Sequence, residues 1–297
     1  MAGHILRDSF KPVDYKEGER SNLVLSEFHH IVDAAFFIYF SMIFYFSGTG
    51  NSKWIANQLS KEQKEDLVFI PDALRSGVLE FCLKEEETIG FVFPIYSWAP
   101  PEIVLNFIQK LSLKGYRGQY LFFVCSCGDD IGLTQQVLMK AFRHKGWECH
   151  VGFSVTMPNN YVLLPGFDVD SEELERKKLA ESVAELKRIN TLISKREHLF
   201  SCHEGSIPFI KTRIINPLFN RFQMSPKLFY VTDGCIGCRR CEKNCPMENI
   251  TMSEGKPVWG MNCTSCLACY HVCPRQAVQY GKRTKGKGQY FNPNSGY

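Results

Sequence analysis

Two twelve-residue stretches, CIGCRRCEKNCP (Cys235 to Pro246) and CTSCLACYHVCP (Cys263 to Pro274), share the spacing C-x2-C-x2-C-x3-C-P. Each cysteine of the second lies 28 positions after its counterpart in the first. Eight thiols confined to Cys235–Cys273 must be bridged, bound to metal, or reactive. The chain has 13 cysteines, and the other five (Cys82, Cys125, Cys127, Cys149, Cys202) are scattered. Secreted disulfide scaffolds are small and cysteine-rich throughout, whereas a local cluster in a longer chain points to metal in a reducing compartment. The N-terminus mixes acidic and basic residues and has no apolar h-region, so no signal peptide is expected. The most apolar run, Ile31 to Phe46, contains Asp33 and Ser41 and is too short to span a membrane. A cytoplasmic protein is expected.

The doubled run is that of bacterial ferredoxins, in which the fourth cysteine ligates the other cluster. One [4Fe–4S] cluster is then expected on Cys235, Cys238, Cys241 and Cys273, and a second on Cys263, Cys266, Cys269 and Cys245. Small residues such as Gly237 and Ala268 let a tight loop wrap a cuboidal cluster, and Pro246 and Pro274 redirect the chain after it. Two four-cysteine zinc sites are the alternative, but they need only paired CxxC units and give no reason for the third cysteine or the proline. Residues 231–297 hold nine Lys/Arg and four Asp/Glu, a formal +5. Two anionic clusters would offset that excess, so it does not call for a nucleic-acid partner.

A second site is expected near the other end. MIFYFSGTGNSKWIANQL, Met42 to Leu59, reads as a strand, a small-residue loop and a helix. The loop Ser47-Gly48-Thr49-Gly50-Asn51-Ser52 offers backbone N–H groups and hydroxyls to a phosphate at a helix N-terminus. Read blandly, it is a strand-to-helix turn without a ligand. Downstream, LVFIPDAL (67–74), TIGFVFPIYS (88–97), YLFFVCS (120–126) and Val151 to Val155 read as strands. Helices are expected over 100–113 and 132–145. Such alternation predicts a parallel sheet covered on both faces, with the ligand beyond the carboxyl ends of its strands. Three loops meet there: Ser47–Ser52, PIYSWAPP (94–101) with Tyr96 and Trp98, and CSCGDDIG (125–132). That set suits a flavin mononucleotide.

The S-G-T-G-N-S loop and the loop order resemble flavodoxin, and the cysteine array resembles the bacterial two-cluster ferredoxin. With FSVTMPNNYV (153–162) and the closing QYFNP, roughly residues 42 to 293 resemble the flavodoxin–ferredoxin fusion family, the "ferrodoxins". The resemblance implies an α/β fold: a flavodoxin-like doubly wound parallel sheet, then a small α+β two-[4Fe–4S] domain. It implies that Ser47, Gly48, Thr49, Gly50, Asn51 and Ser52 bind the FMN phosphate and that Tyr96 or Trp98 stacks on the ring. Cys125, Ser126, Cys127, Gly128 and Asp129 would line its edge. The third loop lacks the usual second aromatic, which leaves one ring face open. Asp129 and Asp130 would disfavour negative charge on a reduced flavin, or else cap the following helix.

The expected division is an extension (1–41), a flavodoxin-like domain (42–198), a connector (199–230), a ferredoxin domain (231–280) and a basic tail (281–297). The extension reads either as an added helical segment or as an upstream start, and its His29 and His30 form no metal pattern. Residues 168–198 read as the closing helix of the first domain. IPFIKTRIINPLFNRF, in the connector, reads as short helices or loops packed between domains. The tail reads as loosely ordered. The function expected is electron transfer between two [4Fe–4S] clusters and an FMN, with a redox protein as external partner. The alternatives are an FMN-dependent reductase of a small acceptor and a ferredoxin with a flavin-free docking domain. No acid–base or nucleophile constellation appears.

Overall fold

Apolar runs separated by amphipathic helices build the larger part of the molecule. The computed structural model describes residues 41–223 and 225–296; residues 1–40 of the expected extension, with His29 and His30, lie outside them. The chain runs β1 (Met42–Tyr45), α1 (Asn51–Gln63), β2 (Asp66–Phe69), α2 (Ile70–Ser76), β3 (Glu80–Cys82), β4 (Thr88–Pro94), α3 (Glu102–Lys110) and β5 (Ser112–Lys114). It continues through β6 (Tyr120–Cys127), α4 (Thr134–His144), β7 (Val151–Thr156), α5 (Glu172–Ser194) and β8 (Phe200–Ser201).

Six strands form one parallel sheet in the order β2-β1-β4-β6-β7-β8, while β3 and β5 pair apart as a short parallel ribbon. With that ribbon set aside, the order is the flavodoxin-like one, with β8 added at the edge. Period-two alternation splits the core. Phe44, Phe91, Phe93 and Phe123 face Phe107 of α3 and Phe142 of α4. Ile43, Val92, Phe122, Val124 and Phe153 face Ile55 and Leu59 of α1 and Leu186, Ile189 and Ile193 of α5. These rings are fully buried, each contributing about 1.5–3 kcal/mol of transfer free energy. Ser171 starts α5, its Oγ accepting the Leu174 N–H at 3.3 Å. Glu172, Glu173 and Glu175 lie in its first turn, where the helix dipole favours them.

The run Leu67 to Leu74 departs from its expected single strand. Pro71 fits the first turn of a helix but not a continuing strand, so β2 stops at Phe69 and α2 takes over.

After the sheet comes a helical run: α6 (Pro208–Ile210), a π-turn (Lys211–Ile215) and α7 (Asn216–Gln223). The cysteine module follows, with β9 (Phe229–Val231), α8 (Arg240–Lys243), β10 (Ile250–Ser253), β11 (Lys256–Trp259), α9 (Ala268–His271) and β12 (Val278–Tyr280). β9 pairs antiparallel with β12, and β10 with β11. The 28-residue period recurs in the backbone: α8 and α9 start one period apart. So do the left-handed residues before them, Arg239 (φ 62°) and Leu267 (φ 61°).

The tail is not loose. Tyr290, Asn292 and Ser295 are nearly inaccessible because they pack on the Ser47–Ser52 loop. Among the described residues no helix is long and apolar enough to cross a membrane.

Candidate functional site

The loop after β1 is held from all sides. Gly50, at φ 98°, turns the chain into α1, and its N–H donates to Ser47 Oγ at 3.2 Å. Ser52 Oγ and Ser126 Oγ, at the end of β6, lie 2.8 Å apart. Asn160 Nδ2 donates to Thr49 Oγ1. The Asn51 side chain is fully engaged within the protein. It donates to the Pro158 carbonyl at 3.0 Å and accepts from Tyr290 OH at 2.7 Å and Asn292 Nδ2 at 3.0 Å. Gly50 likewise faces the tail, since a Cβ there would meet Ser295 Cβ at 2.7 Å. Of the six loop residues, Ser47, Gly48, Thr49, Asn51 and Ser52 line a cavity of about 80 Å³. With about 30 Å³ per water, it has the size for a tetrahedral anion.

That cavity shares Tyr96, Gly128, Asn159, Asn160 and Tyr161 with a larger one of about 840 Å³. Trp98, Cys127 and Asp129 line the larger one; Cys125 lines neither. Strand alternation turns Cys125 into the core, where it is fully buried and its thiol donates to the Phe153 carbonyl at 3.4 Å. Tyr96 to Ala99 forms a tight turn closed by Tyr96 N–H to Ala99 O at 3.0 Å, with φ 46° at Ser97 and 62° at Trp98. Such a turn normally takes Asn-Gly. Left-handed backbone at a cavity-facing turn costs about 1–3 kcal/mol per residue, and such strain clusters at functional sites.

Two aromatic rings from outside the three loops reach the larger cavity. Tyr161 and Phe219 enter the cavity from the segment after β7 and from α7, their rings 5.8 Å apart edge to face. Asp130 is not a helix cap, because α4 starts after Leu133. It is buried, and its Oδ2 takes the Lys211 ammonium at 2.5 Å. Lys178 donates to Asp170 at 2.7 Å and to the Gly128 carbonyl at 2.9 Å. Asp129 and Asp130 therefore do not act as two free carboxylates. Asn160, Tyr161, Lys178, Lys211 and Phe219 carried no motif; the only sequence hint was NNY inside the 153–162 stretch.

The cysteine module abuts this site. Cys266, Ser265 and Leu267 line the larger cavity. A Cβ on Gly48 would lie 2.8 Å from Cys266 Cβ and 3.0 Å from its carbonyl oxygen. His271 of α9 is buried, and burial pushes its imidazole down to about 4, so it is neutral.

Cys235, Cys238, Cys241 and Cys273 surround one cavity. Cys245 lies near enough to Cys263, Cys266 and Cys269 to raise all three thiols electrostatically, a smaller effect than their burial. Cys273 thus lies with the first run and Cys245 with the second. Backbone N–H groups point at the sulfurs one period apart: Asn249 to Cys245 Sγ at 3.3 Å and Ala277 to Cys273 Sγ at 3.2 Å. Such bonds help set cluster potentials. Burial pushes the Cys266 thiol up to about 12 without metal, so iron must displace its proton.

The model of the 4Fe–4S dicluster domain matches residues 234–278. The chain carries a 4Fe–4S dicluster domain. The chain is 43% identical across 47 residues to one component of the ion-translocating oxidoreductase complex of Methanosarcina acetivorans, covering 16% of this chain and 18% of that protein. It is 41% identical across 54 residues to ferredoxin Fdx2 of Sorangium cellulosum, covering 15% and 52%. The chain thus spans about a fifth to a half of these relatives' lengths. A putative flavoprotein of Bacteroides eggerthii aligns over 48% of this chain and 96% of its own at 20% identity and a TM-score of 0.28. An azoreductase of Bacillus anthracis aligns over 52% and 98% at 12% and 0.30. Superpositions that loose add nothing to the strand order. The two [4Fe–4S] clusters rest on the dicluster domain's cysteines, and the flavodoxin-like region rests on its sheet.

Proposed function

We propose that the chain passes electrons between its two [4Fe–4S] clusters and an FMN bound in the two joined cavities. The contact between Gly48 and Cys266 carries this reading. One residue belongs to a loop suited to phosphate and the other to the cysteine run, so a flavin ring beside Tyr96 and Trp98 shares a wall with a cluster ligand. We assign one cluster to Cys235, Cys238, Cys241 and Cys273, and the other, on the flavin side, to Cys263, Cys266, Cys269 and Cys245.

Bound FMN supplies a carrier of one or two electrons where a cluster carries one. The Ser47, Thr49 and Ser52 hydroxyls and the N-terminus of α1 hold its phosphate with uncharged donors. Asn51 acts indirectly, fixing the loop through Pro158, Tyr290 and Asn292. Tyr96, Trp98 and Tyr161 confine the ring and exclude water. Lys211 offsets Asp130, so the third loop repels electrons on the flavin less than its sequence implies. The external donor or acceptor is another redox protein.

Cofactor content after anaerobic purification tests the reading. About eight irons, eight sulfides and one FMN per chain are expected, four of each inorganic ion per cluster. Ser52→Glu, which places a carboxylate where the phosphate belongs, should remove the FMN and leave the iron. Iron without flavin in the unaltered protein would reduce the reading to a ferredoxin with a docking domain. Zinc without sulfide would overturn it altogether.

A further inference from the structure

The helical run Pro208–Gln223 is tied to the rest of the protein by polar groups, with the Phe219 ring turned inward against Tyr161. Lys211 pairs with Asp130, the Thr212 hydroxyl donates to the Trp98 carbonyl at 2.8 Å, and Asn216 Nδ2 donates to the Tyr96 carbonyl at 3.0 Å. Other long apolar side chains of the run are exposed: Phe209 is 63% exposed, Ile214 50%, Leu218 53% and Phe222 64%. A surface helix ordinarily turns its apolar stripe to the core, and exposed apolar surface on this scale marks a contact with something else.

Charge narrows what that something is. Between Glu204 and Asp233 the sequence has Lys211, Arg213, Arg221 and Lys227 and no acidic residue. Lys211 is used inward, while Arg213, Arg221 and Lys227 are exposed. The Arg221 guanidinium lies 5.5 Å from the Phe222 ring, so a cation and an apolar ring are offered together. Phe and Leu beside Arg and Lys, with no carboxylate, is the composition of a helix lying in the headgroup region of an anionic bilayer.

We propose that this face seats the protein on anionic membranes, with Phe209, Ile214 and Phe222 reaching the acyl boundary and Arg213, Arg221 and Lys227 meeting lipid phosphates. The contact proposed is interfacial; no described helix is long and apolar enough to cross. Leu218 and Phe222 also line the larger cavity, so seating turns that cavity's mouth toward the bilayer.

Co-sedimentation of the anaerobically purified full chain with vesicles tests the proposal and needs no flavin. Vesicles of phosphatidylcholine mixed with phosphatidylglycerol should bind the protein, and phosphatidylcholine alone should bind it far more weakly. Replacing Arg213, Arg221 and Lys227 by Gln should weaken binding to the mixed vesicles by about a hundredfold, at about fivefold per charge. Phe209→Gln with Ile214→Gln, both exposed and outside the cavity lining, should abolish it, with iron content and far-ultraviolet dichroism unchanged as the check on folding. Failure of the unaltered protein to bind mixed vesicles at low salt overturns the proposal. So does equal binding to both vesicle types. A dimer that the Phe209 and Ile214 substitutions dissolve, or cross-links from 207–222 to residues 1–40, would give the face to a second copy or to this chain's own N-terminal segment.

Discussion

His271 Nε2 lies 2.7 Å from the main-chain oxygen of Asn160, and His271 Nδ1 accepts the Tyr290 N–H at 3.1 Å. The accepted bond fixes the proton on Nε2, which therefore donates. One imidazole thus joins the cysteine module to the segment after β7 and to the tail, and Asn160 passes the link to Thr49. His271→Ala leaves one buried and one half-buried backbone group unpaired. Each costs about 1–3 kcal/mol, so thermal unfolding of the anaerobic protein should shift down by several degrees. His271→Gln, which can bond to one of them, should recover part of the loss.

Gly48 has no room for a side chain. Ala there puts a carbon 2.8 Å from Cys266 Cβ, and overpacking of this kind costs about 1–3 kcal/mol. Gly48→Val should separate the loop from the cysteine run. The ratio of bound FMN to protein should drop, and the signal of the cluster held by Cys266 should change in electron paramagnetic resonance. An unaltered flavin ratio would show that the contact does not govern the cavity.

Cys245→Ser discriminates crossed from uncrossed ligation. Crossed ligation predicts loss of the cluster on Cys263, Cys266 and Cys269, with iron falling to about four per chain as one cluster survives on the Cys235 quartet. Uncrossed ligation would damage the cluster of the first run instead. The broadening that arises when two reduced clusters interact should disappear in electron paramagnetic resonance.

Glu65 gives a pH signature remote from the redox site. It is 6% exposed, its Oε2 has no partner, and burial pushes its carboxyl up to about 8. An acid with a raised folded value favours folding fully below its unfolded value, near 4.5, and that contribution is lost as pH rises through 8. Glu65→Gln should therefore change stability little near pH 4.5 and raise the unfolding midpoint increasingly toward pH 8, in paired melts across that range.

What the sequence made legible is what is local. Cluster ligands lie within a few residues of one another, so their spacing is visible, and the 28-residue period exposes the duplication. The S-G-T-G-N-S loop is legible for the same reason. Lys211 on Asp130 and Asn160 on Thr49 join residues 81 and 111 positions apart, and only the strand order brings them together. The tail misled because Lys, Gly and Asn favour loose chain in general. Here Tyr290 and Asn292 both donate to the buried amide oxygen of Asn51, which holds the tail down. Asp130 misled because a carboxylate near a helix start resembles a cap until a lysine from a later helix claims it.

Tyr290 lies 239 positions beyond the asparagine it secures. During synthesis the Ser47–Ser52 loop and its sheet leave the ribosome long before the segment that locks them. The latch on Asn51 can close only after both cysteine runs have been translated, so this loop is the last part of the sheet domain to be fixed.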